Sequence, residues 1–307
     1  MEKLCVIGAV NMDIILEVDA SPLQGETTVA NSTHKALGGK GSNAAIATKR
    51  LGLDTHFYGC VGNDENGNEL RENLENEGID ISSMTIFDEV STGTAYIILE
   101  KDGNNRIIAA PGGNQAITET EIRENCAPLI EEADLVFMNL EISQEAAKAV
   151  LEVCKEKDKK IVVDAGPAKG WSAEDFKDIY MISPNEQELS DLMHYEIKTR
   201  DEVIEAGKKL LDLGIEHVIV KLGEKGSIYI GQDDIYDQKK YDVNVKDTTA
   251  AGDIYMAGLC KGLLEEQTIP ESMDLASKVA AISVTRLGAS PSAPTLADLD
   301  NFDSFLK

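Results

Sequence analysis

Asp247-Thr248-Thr249-Ala250-Ala251-Gly252-Asp253 runs directly into an apolar helical stretch, Ile254 to Leu264. Small residues at 250 to 252 let the backbone turn tightly and approach a ligand closely. The first turn of the following helix offers unpaired N–H groups at the positive end of the helix dipole. An acid at 253 can then take a proton while the amides hold a phosphate. The plainer alternative is that Asp253 only caps the helix, as Asp often does.

Upstream, apolar runs at 135–139, 161–163, 179–182 and 218–222 alternate with helical patterns at 119–131, 144–157, 185–193 and 201–213. This alternation, with near-continuous apolar strands, indicates a mostly parallel sheet covered on both faces. Leu4 to Ala9 reads as a first buried strand, Thr55 to Val61 as another, and 227–245 as antiparallel strands. Helices are expected at Gly41 to Leu51, Gly67 to Glu77, 252–265 and 271–287. Residues 14 to 37, with Pro22 and Gly25, suit exposed strands and turns. Thr92 to Leu99 and Arg106 to Ala110 form a second strand-rich stretch around the turn Lys101-Asp102-Gly103-Asn104. One α/β domain spanning 1–307 with a small strand-rich appendage is expected.

The 55 acids against 29 Lys and Arg give a net charge of −26, which argues against a nucleic-acid or anionic-membrane surface. An anionic substrate would be met by backbone amides, a few cations and metal ions. Cys5, Cys60, Cys126, Cys154 and Cys260 form no C-x-x-C pair, so buried free thiols in a reducing compartment are expected. The four histidines show no metal-ligand spacing. Met1-Glu2-Lys3 leads into a strand-like run rather than a signal peptide, and no apolar segment approaches bilayer length. A cytoplasmic location is the expectation.

Gly38-Gly39-Lys40-Gly41-Ser42-Asn43 is not a Walker A loop, because Gly41 stands where Ser or Thr must follow the lysine. It can still bring Lys40, Asn43 and bare backbone to a ligand at a helix start; the alternative is a flexible turn. No G-x-G-x-x-G follows the first strand. Asn11 and Asp13 lie just past that strand, where α/β sheets bind ligands, although such residues also make ordinary turns. Asn185-Glu186-Gln187-Glu188 opens a helix after Pro184, either as cap and dipole partners or as water-mediated holders of Mg²⁺. Leu222-Gly223-Glu224-Lys225-Gly226 is a glycine turn after an apolar strand.

Together these segments resemble the two signatures and the intervening motifs of ribokinase-like carbohydrate kinases. Val61-Gly62-Asn63-Asp64, Ser91-Thr92-Gly93, Pro184 to Glu188 and Leu222 to Gly226 fall in that family's order over essentially the whole chain. The resemblance implies a three-layer α/β/α sandwich with a small β-sheet lid, its strands at about 12–38 and 91–111. It implies ATP-dependent phosphorylation of D-ribose to D-ribose 5-phosphate, with 2-deoxyribose, fructose or a nucleoside as alternative acceptors. A non-catalytic sugar- or nucleotide-sensing protein is a rival that would need no base at 253.

By the same resemblance Asp253 is the catalytic base, and the amides of Ala250, Ala251, Gly252 and Asp253 form an anion hole. Asn11, Asp13, Gly39, Lys40, Asn43 and Glu141 contact the sugar. Asn185 and Glu188 organise Mg²⁺ and phosphates, while Lys221, Gly223 and Gly226 line the ATP site with Ala251 and Gly252. Asp247, Thr249, Ser283, Arg286, Gly288 and Ser292 match the loop for a monovalent cation, K⁺, mostly through carbonyls. A homodimer paired through exposed lid strands is implied as well. The chain departs from the family at three places. Ile254-Tyr255-Met256 replaces small or Thr, Phe and Asn after the catalytic Asp. Lys221 replaces a common Thr, and Asp164-Ala165-Gly166-Pro167 replaces Asn-Pro-Ala-Pro.

Overall fold

Near-continuous apolar strands build the central sheet, because each is covered on both faces. The computed structural model describes residues 2–102 and 104–307, so Gly103 of the expected turn lies outside the described residues. The first strand is β1 (Lys3–Ile7). The chain then leaves it for β2 (Asn11–Val18) and β3 (Ser32–Gly38), and returns beside it as β4 (Asp54–Tyr58). Two short strands, β5 (Cys60–Gly62) and β6 (Thr85–Phe87), pair with each other, and β7 (Thr94–Glu100) and β8 (Asn105–Ala110) follow. β9 (Leu135–Asn139), β10 (Ile161–Asp164), β11 (Met181–Ser183), β12 (His217–Lys221), β13 (Ser227–Ile230) and β14 (Ile235–Gln238) complete the central sheet.

Its order is β14-β13-β12-β11-β10-β9-β1-β4, parallel from β12 to β4 and antiparallel at β13 and β14. The helices Gln144–Glu156 and Arg200–Leu211 seal one face around Val136, Met138 and Val163. Lys40–Arg50, Ala251–Leu264 and Ile269–Ser283 seal the other around Phe137, Val162 and Ile219. This is the expected three-layer α/β/α arrangement. A separate four-stranded sheet, β3-β2-β7-β8, is the strand-rich appendage read in the sequence.

Strand order reverses at β1, which has β4 on one side and β9 on the other. Open α/β sheets bind ligands at such a crevice, beyond the strands' C-terminal ends. Asn11 and Asp13 follow β1, and Glu141 follows β9, so the topology already converges on this point.

Several boundaries differ from expectation. The strand expected over Thr55 to Val61 breaks at Gly59, where an added Cβ would meet the Gly8 carbonyl oxygen at 2.7 Å. The chain there presses on β1's end and turns off as β5. Regular pairing expected over 227–245 stops at Gln238, beyond which, among the described residues, an isolated bridge from Val243 to Leu306 remains. The helix expected at 271–287 starts at Ile269, behind a capping box of Thr268 and Glu271, and ends at Ser283. All five cysteines are buried and unpaired. Among the described residues no helix is long and apolar enough to cross a membrane.

Candidate active site

Two helix N-termini meet at the crevice. The first belongs to Lys40–Arg50, whose glycines are steric requirements rather than slack. Gly39 has φ 96°, and a Cβ on it would lie 2.6 Å from the Ala9 carbonyl oxygen. A Cβ on Gly41 would lie 2.6 Å from the Gly8 carbonyl carbon. This close approach seats the helix on the end of β1, and the Ser42 amide donates to the Ala9 carbonyl at 3.1 Å. The segment is therefore not a flexible turn.

The second N-terminus is that of Ala251–Leu264. Its cap residue is Ala250, in the left-handed region with φ 58° and no side-chain cap bond. Asp253 is thus the third helical residue, and helix capping does not account for it. Its carboxylate is 3 % exposed and faces Lys40–Arg50. Asn43 Nδ2 donates to Oδ2 at 2.9 Å, and Lys40 Nζ lies 3.4 Å from Oδ1. Burial holds the Asp253 carboxyl above the ordinary carboxylate range, against the opposing pull of Lys40. Lys40 is in turn held protonated above the usual lysine range, by Asp253 foremost.

Of the four amides expected to form an anion hole, that of Ala251 already donates to the Thr248 carbonyl at 3.2 Å. Those of Ala250, Gly252 and Asp253 have no acceptor among the described residues. The space before them is open, since a Cβ on Gly252 meets nothing within 4 Å. The Ala251 amide is therefore engaged within the turn, while the other three are left without an internal partner at this helix start.

The other residues expected to meet the sugar adjoin the starts of Lys40–Arg50 and of β2. Glu141 Oε2 accepts the Lys40 amide at 2.9 Å, and burial raises its pKa. Asp13 lies against Gly38, whose added Cβ would touch its carboxylate at 2.3 Å. Both Asp13 oxygens are free of donors among the described residues. Burial, assisted by Glu141, pushes its pKa up to about 6 from 3.8. Asn11 accepts from Asn114 Nδ2 at 2.8 Å. Asn114, which lies in no motif, also donates to the Val10 and Pro111 carbonyls and so clamps the start of β2.

On the side expected to take the nucleotide, Asn185 and Glu188 form a reciprocal capping box, with bonds of 2.8 and 2.7 Å. That leaves Glu188 Oε1 turned toward Gly166, 2.4 Å from where a Cβ there would sit. Burial raises the Glu188 pKa while Lys221 lowers it. Lys221 is ion-paired with Asp164. A groove of about 1140 Å³ adjoins this region and is lined by Asn185, Lys221 and Gly223 among others. Gly223 and Gly226 shape its turn with φ 57° and 94°.

The expected cation loop closes on Asp247. Its Oδ1 accepts from the Thr249 amide and hydroxyl at 2.9 and 2.7 Å, and Oδ2 from the Gly288 amide at 2.8 Å. The Arg286 side chain turns away to Asp298, so only its backbone remains for an ion. The Ser283 carbonyl is occupied by the Arg286 amide, and the Ser292 hydroxyl by the Ala289 carbonyl. Ser290, outside the motifs read in the sequence, donates to Asn43 Oδ1 at 2.8 Å and so ties this loop, through Asn43, to Asp253. Tyr255, a departure from the family pattern, places its hydroxyl 2.8 Å from Ser227 Oγ, so the extra oxygen is satisfied.

The chain is 34% identical to ribokinase of Haemophilus influenzae over 294 residues, covering 96% of each. It is 27% identical to deoxyribokinase of Salmonella typhi, covering 97% of this chain and 98% of that one. A solved structure of Arabidopsis thaliana ribokinase complexed with ribose and ATP superposes with a TM-score of 0.93 at 30% identity, covering 99% of both chains. The model of the pfkB carbohydrate kinases matches residues 1–296, and with a buried carboxylate set beside an amide-lined helix start, the chain belongs to that family.

Proposed function

We propose that the protein transfers the γ-phosphoryl group of ATP to the primary hydroxyl of D-ribose, giving D-ribose 5-phosphate and ADP. The observation that carries this reading is Asp253: buried, pinned at one oxygen by Asn43, and beside three unengaged amides. Phosphoryl transfer requires mainly positioning and charge stabilisation. Asp13, Glu141, Asn11 and Asn43 supply acceptors and donors for a small polyhydroxylated ligand. Asp253 takes the proton of the primary hydroxyl as its oxygen bonds to γ-phosphorus and the bond to the ADP oxygen breaks. The amides of Ala250, Gly252 and Asp253 receive the equatorial oxygens. Lys40 leaves Asp253 for the developing anion.

Among the described residues no three His, Cys or carboxylate side chains converge to cage a metal. Mg²⁺ would come with the nucleotide, and Glu188 Oε1, which accepts no hydrogen bond among the described residues, would fit its water shell. Bound there, the ion neutralises phosphate charge. The carbonyls of Asp247, Thr249, Arg286 and Gly288 accept no hydrogen bond among the described residues, which suits K⁺. Potassium should raise kcat severalfold over a large organic cation at matched ionic strength. Equal rates across a wide concentration range would make the loop a structural turn only. The second sheet would serve as the sugar's lid. Its edge strand β8 leaves Ile107 and Ile108 exposed, and these favour a homodimer through the lid. The buried unpaired thiols favour a reducing, cytoplasmic setting.

A sugar-dependent ADP-release panel tests the assignment. D-ribose should give the highest kcat/KM among ribose, 2-deoxyribose, fructose and adenosine, because a site built to bond a hydroxyl penalises the analogue lacking it. Another acceptor exceeding ribose about tenfold, roughly 1.4 kcal/mol in transition-state binding, would keep the kinase class and remove ribose as its substrate. Binding of ATP with no release of ADP for any sugar would instead favour a non-catalytic nucleotide-sensing protein.

A further inference from the structure

The turn Ser290–Ser292 and the residue after it lie along the helix Lys40–Arg50 and hold it at both ends. Asn43 and Arg50 are seven residues apart, about 10 Å along the axis, so they share one face of that helix. At the near end the Ser290 hydroxyl donates to Asn43 Oδ1 at 2.8 Å, with the Leu37 carbonyl farther off at 3.5 Å. At the far end Arg50 Nη1 donates to the Ser290 carbonyl at 3.0 Å and to the Ala293 carbonyl at 3.2 Å. The other edge of the guanidinium is forked onto Glu77, which caps the end of the helix Glu65–Asn76, with Nε 3.0 Å from its carboxylate. Ser290 and Ala293 are buried, and the Arg50 side chain is 25 % exposed. Hydrogen bonds thus run from Arg50 through Ser290 and Asn43 to Asp253 Oδ2, the last of them 2.9 Å long.

We propose that Arg50 is a positioning residue for the base: held by Glu77, it fixes the Ser290 backbone, and Ser290 in turn orients the Asn43 amide that holds Asp253. The inference rests on the role of Asp253 proposed above. Simple pinning of a loop is the weaker account. The Ser292 hydroxyl, two residues on, folds back within its own turn to the Ala289 carbonyl at 2.7 Å. The Ser290 hydroxyl instead leaves the turn for a side chain 247 residues away. With its oxygen receiving that hydroxyl, the Asn43 amide is left to present its N–H₂ at the other end, where the carboxylate needs a donor. Such a donor favours the ionised carboxylate, the form able to take a proton.

The test compares Ser290→Ala, Arg50→Met, Arg50→Lys and the double variant R50M/S290A in steady-state assays with ribose and MgATP across pH. Ser290→Ala should lower kcat about tenfold, the size of one hydrogen bond. Arg50→Met should lower it to a similar extent, with the MgATP KM unchanged. Arg50→Lys should recover part of the loss, because a cationic donor can still reach the Ser290 carbonyl. The double variant should be no slower than Ser290→Ala alone, as expected of residues acting as a unit. In Ser290→Ala and Arg50→Met the acid limb of the kcat profile should move to higher pH, since the donor to ionised Asp253 is loosened. The charges acting on that carboxylate, Lys40, Asp164 and Lys221, stay in place in every variant. A merely structural arginine would lower the melting temperature and move neither kcat nor the limb. That result in Arg50→Met, or losses that multiply in the double variant, would overturn the proposal. If Arg50→Met fails to fold, Arg50→Lys, with one donor for two carbonyls, takes its place and must show the same shift in smaller measure. If the wild type transfers no phosphate to ribose, the functional reading fails instead, and the Asn43 side-chain amide still decides. Its NMR signal, identified by its absence in Asn43→Ala, should exchange with solvent about tenfold faster in Ser290→Ala and in Arg50→Met than in the wild type. Unchanged exchange in Arg50→Met removes the positioning role.

Discussion

Asp253→Asn should lower kcat by about 10²–10⁴-fold, the range for a positioned general base, while nucleotide and sugar affinities stay near wild type. Asn fills the same space and can keep the contact with Asn43, but it cannot accept the hydroxyl proton. The fold should tolerate the change, because Lys40 still has Asp164, Glu141 and Glu188 around it. The pH profile gives a second readout. A base must be deprotonated to act, so activity falls as pH drops through its pKa. Burial places that acid limb above the ordinary carboxylate range, and Asp253→Asn removes it. Separate measurement of kcat and binding checks the assignment; a folded variant with wild-type turnover would eliminate Asp253 as the base.

Asp13→Asn should separate stability from function. Its carboxylate is partly buried and free of donors among the described residues, so its pKa stands at about 6 in place of 3.8. A carboxyl with a raised folded pKa contributes stability fully present below pH 4. That contribution is lost as pH rises through 6, so the ionised group burdens the free protein at neutrality. Asn removes that burden, and the variant should be more stable at pH 7 by at most about 3 kcal/mol, with a flatter stability profile between pH 4 and 6. The same change should lower kcat/KM for ribose by about 10–10⁴-fold, since one or two charge-assisted hydrogen bonds to sugar hydroxyls are lost. Thermal unfolding across pH, set beside kinetics, checks both halves. Unchanged ribose kinetics would place the sugar elsewhere.

Much of this architecture is legible because its physics is local. Strands such as Leu135–Asn139 and Ile161–Asp164 are buried on both faces, so they read as apolar runs between amphipathic helices. β6 escapes notice because three half-exposed residues carry no period. Asp253, Lys40 and Asn43 stand out through their glycine-rich surroundings, yet their contacts cross more than 200 residues and leave no local trace. Ser290 and Asn114 sit in turn-forming stretches where Ser and Asn need no special reason. Asp164 and Lys221 are visible as separate oddities, and only the register of β10, β11 and β12 makes them partners.

The amide of Asn43 is engaged at both ends, by Ser290 and by Asp253, and cannot turn over without breaking both bonds. It therefore decides which lone pair of the carboxylate is spoken for. Oδ2 is committed, and Oδ1 alone is left to face an incoming alcohol once Lys40 moves aside. On a sugar bearing several hydroxyls of similar acidity, regiochemistry then depends less on their reactivity than on which one arrives over that single oxygen. With Asp253 in the proposed role of base, the positional choice would fall to a side chain that accepts no proton and touches no phosphorus.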